Sequence, residues 1–351
     1  MDGTTMDDAR ARRALKEDLA RHQIHIHQPD DPPLFTRTPS STMKPVHWRW
    51  ADLVRLLKRI GEDLDIDSGG NRRTLRLANP GLPFGTTPTF WCSIQYILPG
   101  EIGGAHRHAA NAWRYIIQGN GAKSTVDGEQ YAFHEGDVVL TPTWTWHDHV
   151  HEGDEPMIWL DVLDISLVRS LHAVFFEPYQ QKTQPVGEHP TRTYLEYGSG
   201  LMRPVYPAPC DRRNPLLAYP YDMALPAIER AAGLPGNAFD DTALEYQNPI
   251  NGGPITSTMG ARLLRLRPGF KGKARRQTGS KVYHAIRGEG VTVVDGERFE
   301  WGRGDFISIP PWALHASSNR STSEPALLLE VNDLPTIQAL GFYREEFPER
   351  G

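Results

Sequence analysis

Fourteen histidines occur in 351 residues, and six of them (His106, His108, His134, His147, His149 and His151) fall in one short stretch. His106 and His108 are two apart, so on a strand both imidazoles project from the same face. His147 follows after several further short segments, as a third ligand brought across a barrel to meet the first two. Three imidazoles aimed at one point hold a divalent metal on one side and leave positions open for substrate. The same ligands also suit zinc, so ligand identity alone does not select a metal. His134 and His151 read as surface or supporting residues. A second such pair, His25-Ile26-His27, has only His22 as a nearby third nitrogen and is read as no site.

The elements that must position these residues are short. From Arg72 onward, segments such as TFWCSIQYIL, WRYIIQG, DVVLTP and PMIWLDVLD are separated by turns such as Asp127-Gly128 and Gly136-Asp137. Strands of this length with hairpin signals between them predict antiparallel barrels or sandwiches. Before them, Asp7–Leu19 and His47–Leu64 have helical character, with Trp50, Leu53, Leu56, Leu57 and Ile60 spaced as one apolar face. A Pro-rich tract from Tyr179 to about Pro254 contains a third helix candidate, Pro226 to Ala232.

The chain also repeats itself. Asp127, Gly136, Asp137, Pro142, Trp144 and His147 recur as Asp295, Gly304, Asp305, Pro310, Trp312 and His315, each pair 168 positions apart. Two copies of one β-domain follow. In the second copy the place of the paired histidines is taken by Arg275, Arg276 and Gln277, so metal is expected only in the first.

Gly100, His106, His108 and Gly119, then Gly136, Pro142 and His147, resemble the two cupin motifs in order. Cupins usually carry a glutamate shortly after the paired histidines; here Ala112 or Trp113 stands there. A three-histidine cupin followed by Trp144-Thr145-Trp146-His147-Asp148-His149, in a chain with two copies, resembles the gentisate 1,2-dioxygenase family. That family includes enzymes cleaving salicylate and 5-substituted salicylates, and the similarity runs from about Arg72 to the C-terminus.

The resemblance implies an all-β bicupin: two antiparallel jelly-roll barrels with N-terminal helices. The expected division is a helical segment over 1–65, a catalytic cupin over 66–180, a connector over 181–250 and a ligand-free cupin over 251–351. It also implies iron(II), with O2 as co-substrate inserted between the carboxylate-bearing and hydroxyl-bearing carbons of a 2-hydroxybenzoate. No external electron donor is required. Gentisate, salicylate, nitro-, chloro- and aminosalicylates and 1-hydroxy-2-naphthoate share the chelating pair. Trp113, bulkier than expected of a gentisate enzyme, tilts the expectation toward a salicylate-type substrate.

The residues agree with this chemistry. Continuing at period two from His108 gives Ala110, Ala112 and Arg114 on the inward face: two alanines leave room, and Arg114 suits a carboxylate. Trp91 and Gln95 share parity on the preceding strand and could line the same cavity, with Trp144 or Trp146 as further walls. The resemblance gives His149 and Asp161 the ring hydroxyl and the protons around bound oxygen, though Asp161 could instead orient a ligand. Among Arg72, Arg73 and Arg76 a second carboxylate contact stays open.

Other classes fit less well. The 38 Lys+Arg against 43 Asp+Glu argue against a nucleic-acid binder, and no apolar run approaches the roughly 20 residues of a membrane helix. Cys92 and Cys210 alone exclude a disulfide scaffold. A charged N-terminus suggests no export signal, hence a cytoplasmic enzyme, and the resemblance implies a homo-oligomer, a tetramer. A non-catalytic binding bicupin should have lost its ligands in both copies, and a cupin decarboxylase or isomerase usually keeps the glutamate.

Overall fold

The computed structural model describes residues 4–27, 31–63, 73–205 and 214–348. Arg72 and Cys210 lie outside them. Two compact units are present, Met1–Ser40 and Ser41–Gly351. In the first, the helix runs over Thr4–Arg21, and His25 lies 3.0 Å and His27 4.0 Å from Asp31.

The larger unit holds two barrels of matching design. In the first, a six-stranded sheet runs in the order Ala218–Tyr219, Val138–Thr141, Ala112–Gln118, Met157–Leu163, Trp91–Ile97, Thr74–Arg76. A five-stranded sheet runs Phe176–Pro178, Ile102–His108, His147–His151, Ala122–Val126, Glu129–Ala132. Ile97, Ile116, Val139, Met157 and Trp159 from the first sheet meet Ala122, Val126 and Tyr131 from the second in one core. Alternation along a strand sends the next residues the other way. Trp113 and Tyr115 therefore join Ile94, Leu160 and Val162 in a second core, which they share with Val282, Phe306, Leu327 and Leu329 of the other barrel. The two barrels thus pack through the outer faces of their larger sheets. Trp113 is fully buried there, facing away from its own barrel's interior, so its bulk says nothing about the substrate.

The second barrel has a six-stranded sheet ordered Val46–Trp48, Phe306–Ile309, Lys281–Arg287, Ala326–Asn332, Gly260–Leu266, Thr242–Glu245. A three-stranded sheet and the pair Arg276–Gln277 with Glu345–Glu346 complete it.

The duplication extends further than the sequence motifs suggest. The helix expected from His47 begins only at Trp50 and ends at Asp63, because Val46–Trp48 is a strand paired with Phe306–Ser308. The connector helix likewise starts before Pro226, spanning Tyr221–Ala231, after a strand paired with Val138–Val139. Both helix starts are held by the repeated Gly-Asp turn. The Trp50 N–H donates to Asp305 at 2.8 Å and the Tyr221 N–H to Asp137 at 2.9 Å. A Cβ on Gly304 would strike Trp50, and one on Gly136 would strike Tyr221, which is why glycine precedes each aspartate. Each strand–helix arm therefore completes the barrel other than the one it precedes in sequence: the N-terminal arm joins the second barrel and the connector arm the first.

Candidate metal centre

His106 and His108 end the strand Ile102–His108, and His147 opens the strand His147–His151. These strands are neighbours, with His106 directly opposite His147. The third histidine therefore arrives from the adjacent strand and not from across the barrel. The ring centroids of His106 and His108 lie 4.3 and 4.8 Å from that of His147, and one ligand atom from each residue fits within 4.8 Å of the others.

The three rings are oriented alike. Nδ1 of His106 contacts the Gly104 carbonyl at 2.7 Å, Nδ1 of His108 that of Ala110 at 2.9 Å, and Nδ1 of His147 that of Thr145 at 3.0 Å. Only a protonated nitrogen can donate to a carbonyl, so each Nε2 keeps its lone pair for a ligand. Nε2 of His147 is buried with no hydrogen-bond partner, a costly arrangement that a bound cation would relieve. Burial, reinforced by His106, His108 and Arg114, holds the His147 pKa well below the ordinary imidazole value, keeping it neutral. The donor set fits a divalent metal, and among the described residues it is the one such group.

Near the triad the barrel buries several polar side chains. Arg114 and Asp161 are buried and form an ion pair, Nε to Oδ1 2.8 Å, and Arg114 Nη1 donates to Thr141 Oγ1 at 3.1 Å. Burial lowers the Arg114 pKa and Asp161 opposes that. Thr141 had no sequence signal of its own; it is found only because Val138–Thr141 pairs with the strand carrying Arg114. Gln95 is buried and its Nε2 has no hydrogen-bond partner. His149 is fully buried, 6.0 Å from His147 and 5.7 Å from Trp159 between ring centroids.

Trp91 stacks on Phe84 at 4.2 Å, and Arg76 lies over its ring at 4.5 Å. Arg73 is buried against Glu101. Trp144 and Trp146, expected as pocket walls, instead flank Arg107, which alternates with the two ligands and so points the other way. Of the remaining histidines, His134 is largely exposed beside Asp137, and His151 is buried against the Glu155 carbonyl.

The chain resembles several known proteins over nearly its whole length. The cupin domain family matches residues 93–163 and 262–332. The 5-aminosalicylate 1,2-dioxygenase of Comamonas sp. is 36% identical, over 95% of this chain and 89% of that protein. The gentisate 1,2-dioxygenase of Streptomyces sp. is also 36% identical, over 89% and 88%. The chain belongs to the gentisate 1,2-dioxygenase family. Within that family, the salicylate 1,2-dioxygenase of Pseudoaminobacter salicylatoxidans, solved with gentisate, superposes with a TM-score of 0.89 at 30% identity, covering 96% of this chain and 94% of that one. The bicupin fold and the ring-cleaving oxygenase class follow from membership.

The second barrel keeps the place of the triad but only one of its histidines. Arg275 faces His315 as His106 faces His147, and Gln277 takes the place of His108. Arg275 is paired to Asp240 at 2.6 Å, and buried Lys281 lies 3.2 Å from Glu330. Burial first, then Lys281, pushes the His315 pKa down to about 3, and burial pushes His284 to about 4. Both imidazoles titrate normally once unfolded, so below about pH 6.5 the unfolded chain binds more protons and stability falls, by up to about 1.4 kcal/mol per pH unit for each. Urea unfolding at pH 7, 6 and 5 should show His315→Asn losing about one proton's worth of that slope. An unchanged slope would mean that His315 is not held neutral.

Proposed function

We propose that the protein cleaves the ring of a 2-hydroxybenzoate with O2, using iron(II) held by His106, His108 and His147. The observation that carries this reading is the triad itself: three imidazoles with anchored Nδ1 atoms, in a chain whose relatives are named for such ring cleavage. Bound there, iron(II) supplies open positions for a chelating substrate and for O2. Three neutral imidazoles cancel none of the metal's charge, whereas the usual cupin glutamate would cancel one. The site therefore favours an anionic chelator, a carboxylate with an ortho hydroxyl.

The chain's own groups do the rest. Arg114 has five N–H donors, and its contacts to Asp161 and Thr141 fix the guanidinium plane so that others can meet the substrate carboxylate. Gln95 offers a buried amide donor, Trp91 an aromatic wall, and His149 and Asp161 hold or move the proton of the ring hydroxyl. By the same family reading, the protein assembles as a homo-oligomer, a tetramer.

Oxygen uptake by anaerobically prepared, iron-loaded protein, on a panel of gentisate, salicylate, 5-substituted salicylates and 1-hydroxy-2-naphthoate, tests the proposal. Uptake with at least one of them, matched mole for mole by ring-opened product, is expected. No uptake with any member would sink it.

A further inference from the structure

The face of the ligand strand that points away from the triad carries its own constellation. Arg107, between the two histidines in sequence, lies over two indole rings, 4.5 Å from the centroid of Trp144 and 4.4 Å from that of Trp146. Its Nε and Nη2 both donate to one carboxylate oxygen of Glu177, at 2.8 and 2.6 Å. Glu177 belongs to the edge strand Phe176–Pro178, where it stands opposite Arg107. One guanidinium thus joins the strand of His106 and His108, the turn that delivers His147, and the edge strand whose Phe176 stacks on the His106 ring at 5.2 Å. The turn is tied a second time: Trp144 adopts a left-handed backbone, φ 60°, with its N–H donating to the His108 carbonyl at 2.8 Å.

The duplication provides an internal comparison. In the second barrel Trp312 keeps the same backbone, φ 64°, and donates its N–H to the Gln277 carbonyl, at the place of His108. Arg276 stands opposite Glu346 as Arg107 stands opposite Glu177. Yet Trp146 has become Leu314, and Nε of Arg276 is buried with no hydrogen-bond partner. The turn and the strand pairing survive without the metal ligands; the clasp does not.

We propose that Arg107 is a positioning residue, locking the three ligand histidines into metal-binding register from the outer face through Trp144, Trp146 and Glu177. The inference rests on the metal assignment made above. Groups behind a metal's ligands, when removed, weaken metal binding by about 10–100-fold.

The test uses full-length protein stripped of metal and reloaded with cobalt(II) alone, reading the visible cobalt spectrum and the rate at which a chelator removes the ion. Arg107→Gln should lose cobalt about tenfold faster or more, with a shifted spectrum. Arg107→Lys, which keeps the cation over the rings but loses the planar fork, should recover part of the loss. Trp146→Leu, the residue the second barrel itself carries, should move both readouts the same way, and it decides the matter if Arg107→Gln does not fold. Arg276→Gln should match wild type. Wild-type spectra and release rates in both Arg107→Gln and Trp146→Leu would overturn the clasp and leave the metal assignment standing. Failure of the wild type to take up cobalt would overturn the assignment and the clasp together.

Discussion

His106→Ala should abolish metal binding and ring cleavage together, while Arg276→Ala should leave both as in wild type. The first change removes one of three converging nitrogens; two imidazoles on neighbouring strands cannot enclose a cation that ordinarily takes four to six ligands. The second change falls on the matching strand of the other barrel, between Arg275 and Gln277, which stand where the ligands would be, and buried ion pairs line that interior. Metal content of the purified proteins, by elemental analysis, and O2 uptake on the best substrate are the measurements. Wild type and Arg276→Ala should carry one equivalent of metal per chain and His106→Ala none. Equal loss in the two variants would refute the assignment to a single barrel.

Arg114→Met should lower kcat/KM by at least about 100-fold, the scale expected when a substrate-orienting group is lost. It should also destabilise the fold, because Asp161 would be left as a buried, uncompensated charge. Breaking one side of such a pair costs about 3–5 kcal/mol. The two effects separate in the double variant Arg114→Met/Asp161→Leu. Replacing a buried pair with apolar groups of similar size is often close to neutral, so unfolding midpoints should return toward wild type. Turnover should not return. If activity recovers with stability, Arg114 serves the barrel and not the substrate.

The metal centre was legible in the sequence because two-residue spacing on a strand forces a shared face, and the motif order resembles the family's. The route of His147 was not: spacing along the chain does not say whether a strand lies next door or across a barrel, and the ladder puts it opposite His106. Trp144 and Trp146 misled for a related reason. Aromatic residues near a site suggest walls, but side-chain direction depends on the backbone, and a left-handed Trp144 sends its ring to Arg107. The domain-exchanging arms had a faint signal, Trp48-Arg49-Trp50 echoed by Tyr219-Pro220-Tyr221. It was too short to weigh against helical periodicity in the first case and proline content in the second. Thr141 and the Arg114–Asp161 pair required the sheet register, which no local pattern contains.

The exchanged arms bear on how the molecule can be taken apart. Cut between the barrels near residue 205, each half would carry the other's edge strand: the first would keep Val46–Trp48, whose ladder is Phe306–Ser308, and the second Ala218–Tyr219, whose ladder is Val138–Val139. Neither fragment is a self-sufficient half. Mixed, they have every reason to clasp hands across the break, and a lone ancestral copy with such an arm would have sought its missing strand on a twin, as swapped dimers do. The fused chain performs that embrace with itself.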